Sequence, residues 1–269
     1  MDKTRTSNMA LFCDFENVAL GVRDASYSAF SIQKVLERLL LKGNIVVKKA
    51  YCDWDRYKEF KAAMHEAAFE LIEIPHVRQS GKNSADIRMV VDALDLCYTK
   101  SHVDTFVIIS GDSDFSPLVS KLRENNKTVI GVGVKNSTSD LLTANCDEFI
   151  YYDDLVRDEK RPKRTKKKAA AGKGTASKKV DDEEHRRQEG LDLIVATVED
   201  LFEERGEEEK VWGSMVKQLI KRRKPGFNES YHGFRSFGEM LEEARTRKLL
   251  ALERDEKSGG YIVRPIAAG

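Results

Sequence analysis

The chain is 269 residues long and nearly charge-balanced, with 46 Lys and Arg against 45 Asp and Glu, so overall charge singles out no class of partner. The length suits one medium domain plus one small one. The N-terminus lacks a positively charged start followed by an apolar core, and no apolar run approaches the roughly 20 residues of a bilayer crossing; a soluble, cytoplasmic protein with no membrane partner is expected. Cys13, Cys52, Cys97 and Cys146 stand far apart without metal-ligand spacing, as reduced core thiols rather than disulfides or zinc ligands.

In chain order, Met9–Cys13 is an apolar run of strand length that ends at Asp14. Ala19 to Phe30 carries loop residues. Ser31 is placed to cap a helix with Ile32, Val35, Leu36, Leu39 and Leu40 at helical spacing. Ile45–Tyr51 is a second strand, Tyr57–Phe69 an Ala-rich helix and Glu70–Ile74 a third strand stopped by Pro75. A polar loop, His76–Ser84, precedes a helix with Ile87, Val90, Val91 and Leu94 on one face and Asp86 in its first turn. Thr105–Ile109 is strand four, Leu118–Asn125 a helix, Thr128–Val134 strand five, Ser139–Ala144 a short helix and Phe149–Tyr151 an edge strand. This alternation predicts an α/β fold: a parallel sheet flanked by helices, with right-handed crossovers.

With strand order 3-2-1-4-5, strands one and four are neighbours where the winding reverses, at the crevice that binds ligands in such sheets. Asp14 and Asp112 then lie side by side, and Asp86 can point into the same crevice. Clustered carboxylates repel one another and are stable mainly around a divalent cation. All-oxygen ligands favour Mg²⁺ or Mn²⁺. The reaction class expected of such a site is metal-dependent phosphodiester hydrolysis. Ser110 and Ser113 could order water or hold a carboxylate, and Asn17 could orient a phosphate or a metal-bound water. Arg78 and Lys82 suit the substrate backbone, or are solvated loop charges. The plainer alternative is that Ser113 or Asp114 only caps the following helix. A calcium loop fails because Pro117 stands where glycine is needed.

Cys13-Asp14-Phe15-Glu16-Asn17, Asn83-Ser84-Ala85-Asp86 through Asp92, and Ile109-Ser110-Gly111-Asp112-Ser113-Asp114-Phe115 resemble the three motifs of the NYN domain, a PIN-like nuclease group that includes bacterial LabA-like proteins. The resemblance covers about residues 8 to 155. It implies a PIN-type, Rossmann-like fold and a Mg²⁺- or Mn²⁺-dependent ribonuclease, read here as an endoribonuclease. Asp14, Asp86 and Asp112 would bind the metal, Asp114 would be a fourth member, and Asn17 the first-motif asparagine; with Ser110 they make up the catalytic set. Asp92, off the helical face of Asp86, reads as structural. A haloacid-dehalogenase-type phosphatase is disfavoured because Glu16 replaces its second aspartate.

Lys160 to Lys179 holds ten Lys or Arg and no acid, and 158–186 is expected to be a flexible basic linker between domains at 1–157 and 187–269. Helices at Glu189–Arg205, Val211–Arg223 and Phe234–Lys248, then a hairpin of Leu249–Glu253 and Gly260–Val263, suggest a small winged-helix domain. Trp212, Phe234 and Phe237 are expected in its core. Val211-Trp212-Gly213-Ser214, Lys224-Pro225-Gly226-Phe227, Tyr231 through Leu241 and Gly260-Tyr261-Ile262-Val263 resemble an OST-HTH, or LOTUS, domain, which implies binding of RNA or of a protein partner. Lys217, Lys221, Arg222 and Arg223 are the candidate phosphate contacts. The partners expected are single-stranded or structured RNA, with a protein partner and a homodimer left open. The alternative function is a catalytically inactive adaptor that binds RNA or recruits protein.

Overall fold

The computed structural model describes residues 6–27, 30–74, 84–160, 176–205, 209–255 and 259–266. It divides into two compact units, Met1–Lys160 and Arg161–Gly269. In the first unit β1 (Ser7–Asp14) leads through α1 (Phe15–Asp24) and α2 (Ile32–Leu40) to β2 (Gly43–Cys52), then through α3 (Lys58–Glu66) to β3 (Glu70–Glu73). Next come α4 (Ser84–Thr99), β4 (Thr105–Ile109), α5 (Ser116–Glu124), β5 (Thr128–Gly133), α6 (Asp140–Asn145), β6 (Glu148–Tyr151) and α7 (Tyr152–Lys160). The six strands form one parallel sheet in the order β3-β2-β1-β4-β5-β6. Winding therefore reverses between β1 and β4, as the sequence predicts.

The central strands are apolar along their length because both faces of the sheet are covered. Met9, Leu11 and Cys13 of β1, with Val107 and Ile109 of β4, pack against Val18, Val35, Leu39 and Met64 from α1, α2 and α3. Ala10, Phe12, Phe106 and Ile108 face the other way, toward Met89, Ala93 and Val119 of α4 and α5. The Phe12 and Phe106 rings stack at 6.0 Å. All four cysteines are free and buried, as expected.

Three local expectations are corrected. Residues from Ala19 do not begin a loop but continue α1, whose Val18, Gly21 and Val22 are buried at helical spacing. Gly21 is tolerated mid-helix because an added Cβ would lie 2.3 Å from Ser137 Oγ. Ser31 occupies the N-cap of α2 without a side-chain cap bond; its N–H donates to the Tyr152 hydroxyl at 2.9 Å. The inward face of α4 is Met89, Ala93 and Cys97, whereas Ile87 and Val91 are 62% and 56% exposed.

In the second unit, α8 (Ala176–Arg205), α9 (Gly213–Arg223) and α10 (Phe237–Thr246) precede an antiparallel hairpin of β7 (Leu250–Arg254) and β8 (Tyr261–Pro265). Trp212 bridges to Ile262 at its edge. Ile194, Val198, Ile220, Phe234, Met240 and Val263 form the core. Phe234 and Phe237 are buried as expected, while Trp212 is half-buried. The third helix starts later than expected. Gly233 adopts φ +84, a left-handed conformation that favours glycine, and Ser236 then caps α10 by accepting from Glu239 N–H at 3.2 Å.

The linker expected at 158–186 is helical at both ends, since α7 runs to Lys160 and α8 begins at Ala176. From Ala176 to Glu189 there is neither Gly nor Pro, and Lys, Glu, Arg and Gln are good helix formers. Its middle, 161–175, lies outside the described residues. No helix among the described residues is long and apolar enough to cross a membrane.

Candidate active site

Asp14 ends β1 and is only 8% exposed. Its Oδ1 accepts from the Asn17 N–H at 3.3 Å, capping α1, and its Oδ2 accepts from the Ser110 hydroxyl at 3.0 Å. Cys13 pairs with Ile109, so the residues just beyond these two strand ends meet across the winding reversal. Ser110 Oγ accepts from Asp112 N–H at 3.2 Å, and Gly111 N–H donates to Asn17 Oδ1 at 2.9 Å. Five residues at the two strand ends, Asp14, Asn17, Ser110, Gly111 and Asp112, thus form one hydrogen-bonded set.

Asp112, rather than Ser113 or Asp114, is the capping residue here. Its Oδ1 accepts from Asp114 N–H at 2.9 Å and closes the 3₁₀ turn Ser113–Phe115. Gly111 has no room for a side chain, because a Cβ would lie 2.3 Å from the Ser137 carbonyl oxygen. Asn17 also differs from expectation: its side-chain oxygen is taken up by the Gly111 N–H and fixes the loop that carries Asp112.

Burial first, then the charges of Asp86 and Asp112, pushes the Asp14 carboxyl up to about 7, against the opposing hydrogen bonds from Ser110 and Asn17. Asp86 rises to about 6, through burial first and then Asp112, Asp114 and Glu16. Acids from the end of β1, the first turn of α4 and the loop after β4 therefore share one electrostatic neighbourhood. A cleft of about 730 Å³ opens beside them, lined by Asp86, Asp114 and Ser113 and by the apolar side chains of Ile87, Val91 and Leu141.

Among the described residues no three His, Cys, Asp or Glu side chains converge at metal-ligand spacing. The donor chemistry nonetheless fits a hard divalent cation: all the donors are carboxylate oxygens, their mutual repulsion is relieved by positive charge, and Mg²⁺ commonly uses one or two carboxylates plus water.

Arg78 and Lys82 lie outside the described residues. In α9, Lys217 Nζ is 2.7 Å from Glu229 Oε1 and Arg223 pairs with Asp200, so both are already engaged with carboxylates. Arg222 is exposed and Lys221 half-buried. Asp92 accepts from the Tyr51 hydroxyl at 2.9 Å and pairs with Arg88 at 3.1 Å and Lys49 at 3.7 Å. Sequence reasoning missed the ion pair of Glu16 with Arg56, 3.1 Å apart. Only the place of Glu16, two residues past Asp14, could have hinted at it.

A parallel sheet whose winding reverses between two strands that both lead into aspartates defines an α/β protein of Rossmann-type, PIN-like architecture. The chain belongs to the NYN domain family, a nuclease-type family whose model matches residues 8–153 and so spans Asp14, Asp86, Asp112 and Asp114. Over 150 residues it is 25% identical to "Meiosis regulator and mRNA stability factor 1" of Xenopus tropicalis, covering 56% of this chain and 9% of that protein. Over 111 residues it is 28% identical to an uncharacterized protein of Methanocaldococcus jannaschii, covering 41% of this chain and 43% of that one. The chain thus spans less than half the length of these curated relatives. The crystal structure of a protein of unknown function from Vibrio parahaemolyticus is similar with a TM-score of 0.51 and 27% identity, covering 58% of this chain and 98% of that one.

Proposed function

We propose that the chain is a cytoplasmic, metal-dependent endoribonuclease whose acids Asp14, Asp86, Asp112 and Asp114 hold Mg²⁺ or Mn²⁺. The observation that carries this reading is the meeting of the β1 and β4 ends, where Ser110 donates to Asp14 at 3.0 Å and accepts from the Asp112 N–H at 3.2 Å, with Asp86 near enough for its charge to raise the Asp14 carboxyl. Such perturbed carboxylates in a crevice mark a candidate functional site. An RNA phosphate is repelled by this cluster unless a cation stands between them. When bound, the cation supplies polarisation of the phosphodiester and a more acidic water. Ser110 and Asn17 hold the Asp14 carboxylate and the Gly111-Asp112 loop in place, and the cleft beside Asp86 and Asp114 offers an apolar wall to the strand.

The second unit serves, in this reading, as an RNA-binding winged helix of the OST-HTH/LOTUS type. The helices packed on a hairpin, with Trp212 bridging to β8, support it, as do the basic residues Lys221 and Arg222 near the end of α9. Tethering RNA there raises its effective concentration at the acids without new catalytic contacts. Asp112→Asn in the full chain should abolish metal-dependent cleavage of labelled RNA while RNA binding survives. An equally active purified variant refutes the assignment, and a wild type that binds RNA without cleaving it replaces the nuclease with the adaptor.

A further inference from the structure

A second cleft, of about 380 Å³, lies between α1 and α3 and is lined by side chains including Tyr27, Phe30, Tyr57 and Phe60, with Arg23 and Arg56 among them. Its size falls within the roughly 300 to 1,000 Å³ of small-molecule pockets. Its walls are held by the site already described. Phe15, the residue after Asp14, packs its ring against Tyr57 at 5.7 Å, Phe60 at 5.1 Å and Phe30 at 5.9 Å. Arg56 links the same cleft to the acids through Glu16 at 3.1 Å, and the charge of Glu16 is felt by Asp86.

Aromatic side chains beside arginines match a nucleotide: the base lies on a ring face and the phosphate takes guanidinium hydrogen bonds. Glu59, also in the lining, adds an acceptor for base N–H groups. The charge is mixed, since Arg23 neighbours Asp24 at 3.4 Å and Arg56 holds Glu16. Both arginines are well exposed, with side chains 73% and 48% accessible, and exposed pairs of this kind are weak enough to yield a hydrogen bond to phosphate.

We propose that this cleft is a nucleotide-binding subsite, separate from the acid cluster, that holds one nucleotide of an RNA strand passing on to the acids. Only the link to cleavage rests on the ribonuclease reading; nucleotide binding stands apart from it.

The test is photo-crosslinking of a 4-thiouridine-containing oligoribonucleotide to the 269-residue chain in EDTA, where no cleavage competes, with the adducts mapped by mass spectrometry. Adducts on the segment carrying Tyr57 and Phe60, or on Tyr27, are expected. They should fall about tenfold in Ala19→Phe, which fills the cleft, and in the surface variant Arg23→Ala, each checked for unchanged thermal melting. A parallel arm with 4-thiouridine monophosphate identifies the source. Labelling by both probes marks a site for a nucleotide by itself, and labelling by the oligomer alone marks a site for a strand. Adducts confined to other segments, or unchanged by both variants, overturn the proposal. If wild type shows these adducts yet never cleaves RNA with metal, the subsite stands and the nuclease reading falls.

Discussion

The hydroxyl of Ser110 donates to Asp14 Oδ2 at 3.0 Å and joins the ends of the two central strands through a carboxylate that titrates near 7. This bond favours the charged form of Asp14. Ser110→Ala should therefore raise the Asp14 pKa further and move the acid limb of the metal-dependent activity upward by roughly one pH unit. A pH–rate profile checks this, and an unmoved limb contradicts the role given to Ser110.

Without a cation, Asp14 is raised from its ordinary 3.8 to about 7, so the native state holds its proton longer than the unfolded chain does. The stability this gives is complete below about pH 4 and is lost as the pH rises toward 7, on the order of a few kcal/mol. Asp14→Asn should flatten that decline between about pH 4 and 7. A cation binds the deprotonated form, so Mn²⁺ should raise the melting temperature more at pH 8 than at pH 5.5. Melting curves with and without Mn²⁺ decide it; an equal shift at both pH values, or none at saturating Mn²⁺, counts against an acidic metal site.

Gly111→Ala would place a Cβ 2.3 Å from the Ser137 carbonyl oxygen and 3.0 Å from Thr138 Cα, both backbone atoms with little freedom to retreat. The loss should be about 1–3 kcal/mol in the N-terminal unit. Urea unfolding followed by Trp54 fluorescence in a Trp212→Phe background reads that unit alone. An unchanged midpoint contradicts the close approach.

Tyr51 is fully buried and donates to Asp92 at 2.9 Å, while Arg88 and Lys49 hold the same carboxylate. Tyr51→Phe should cost about 1–2 kcal/mol and leave the rate of RNA cleavage per folded molecule unchanged. A large fall in cleavage at unchanged stability would place Asp92 in the chemistry instead.

The sheet was legible because Met9–Cys13 and Thr105–Ile109 are runs suited to burial on both faces, the first ending at Asp14 and the second leading through Ser110-Gly111 to Asp112, which a parallel sheet covered by helices explains. What escaped were effects set by partners distant in sequence. Ala19–Phe30 reads as loop from its residues, yet its first half is helical, with Gly21 where α1 meets Ser137. Ile87 and Val91 look like a buried stripe, yet they line the cleft beside Asp86 and Asp114. Asp112 was legible as an acid at a strand end, but its capping bond to Asp114 depends on the 3₁₀ turn. Arg56 stands forty residues from Glu16, and no local pattern announces their pairing.

The most direct measurement compares the purified 269-residue chain with its Asp14→Asn/Asp112→Asn variant on labelled single-stranded RNA and matched DNA, each with Mn²⁺, Mg²⁺ or EDTA. Cleavage of RNA only by wild type and only with metal is the predicted result. Cleavage that persists in the double variant or in EDTA contradicts the acid cluster as the catalytic site, and loss of DNA rather than RNA contradicts the substrate class.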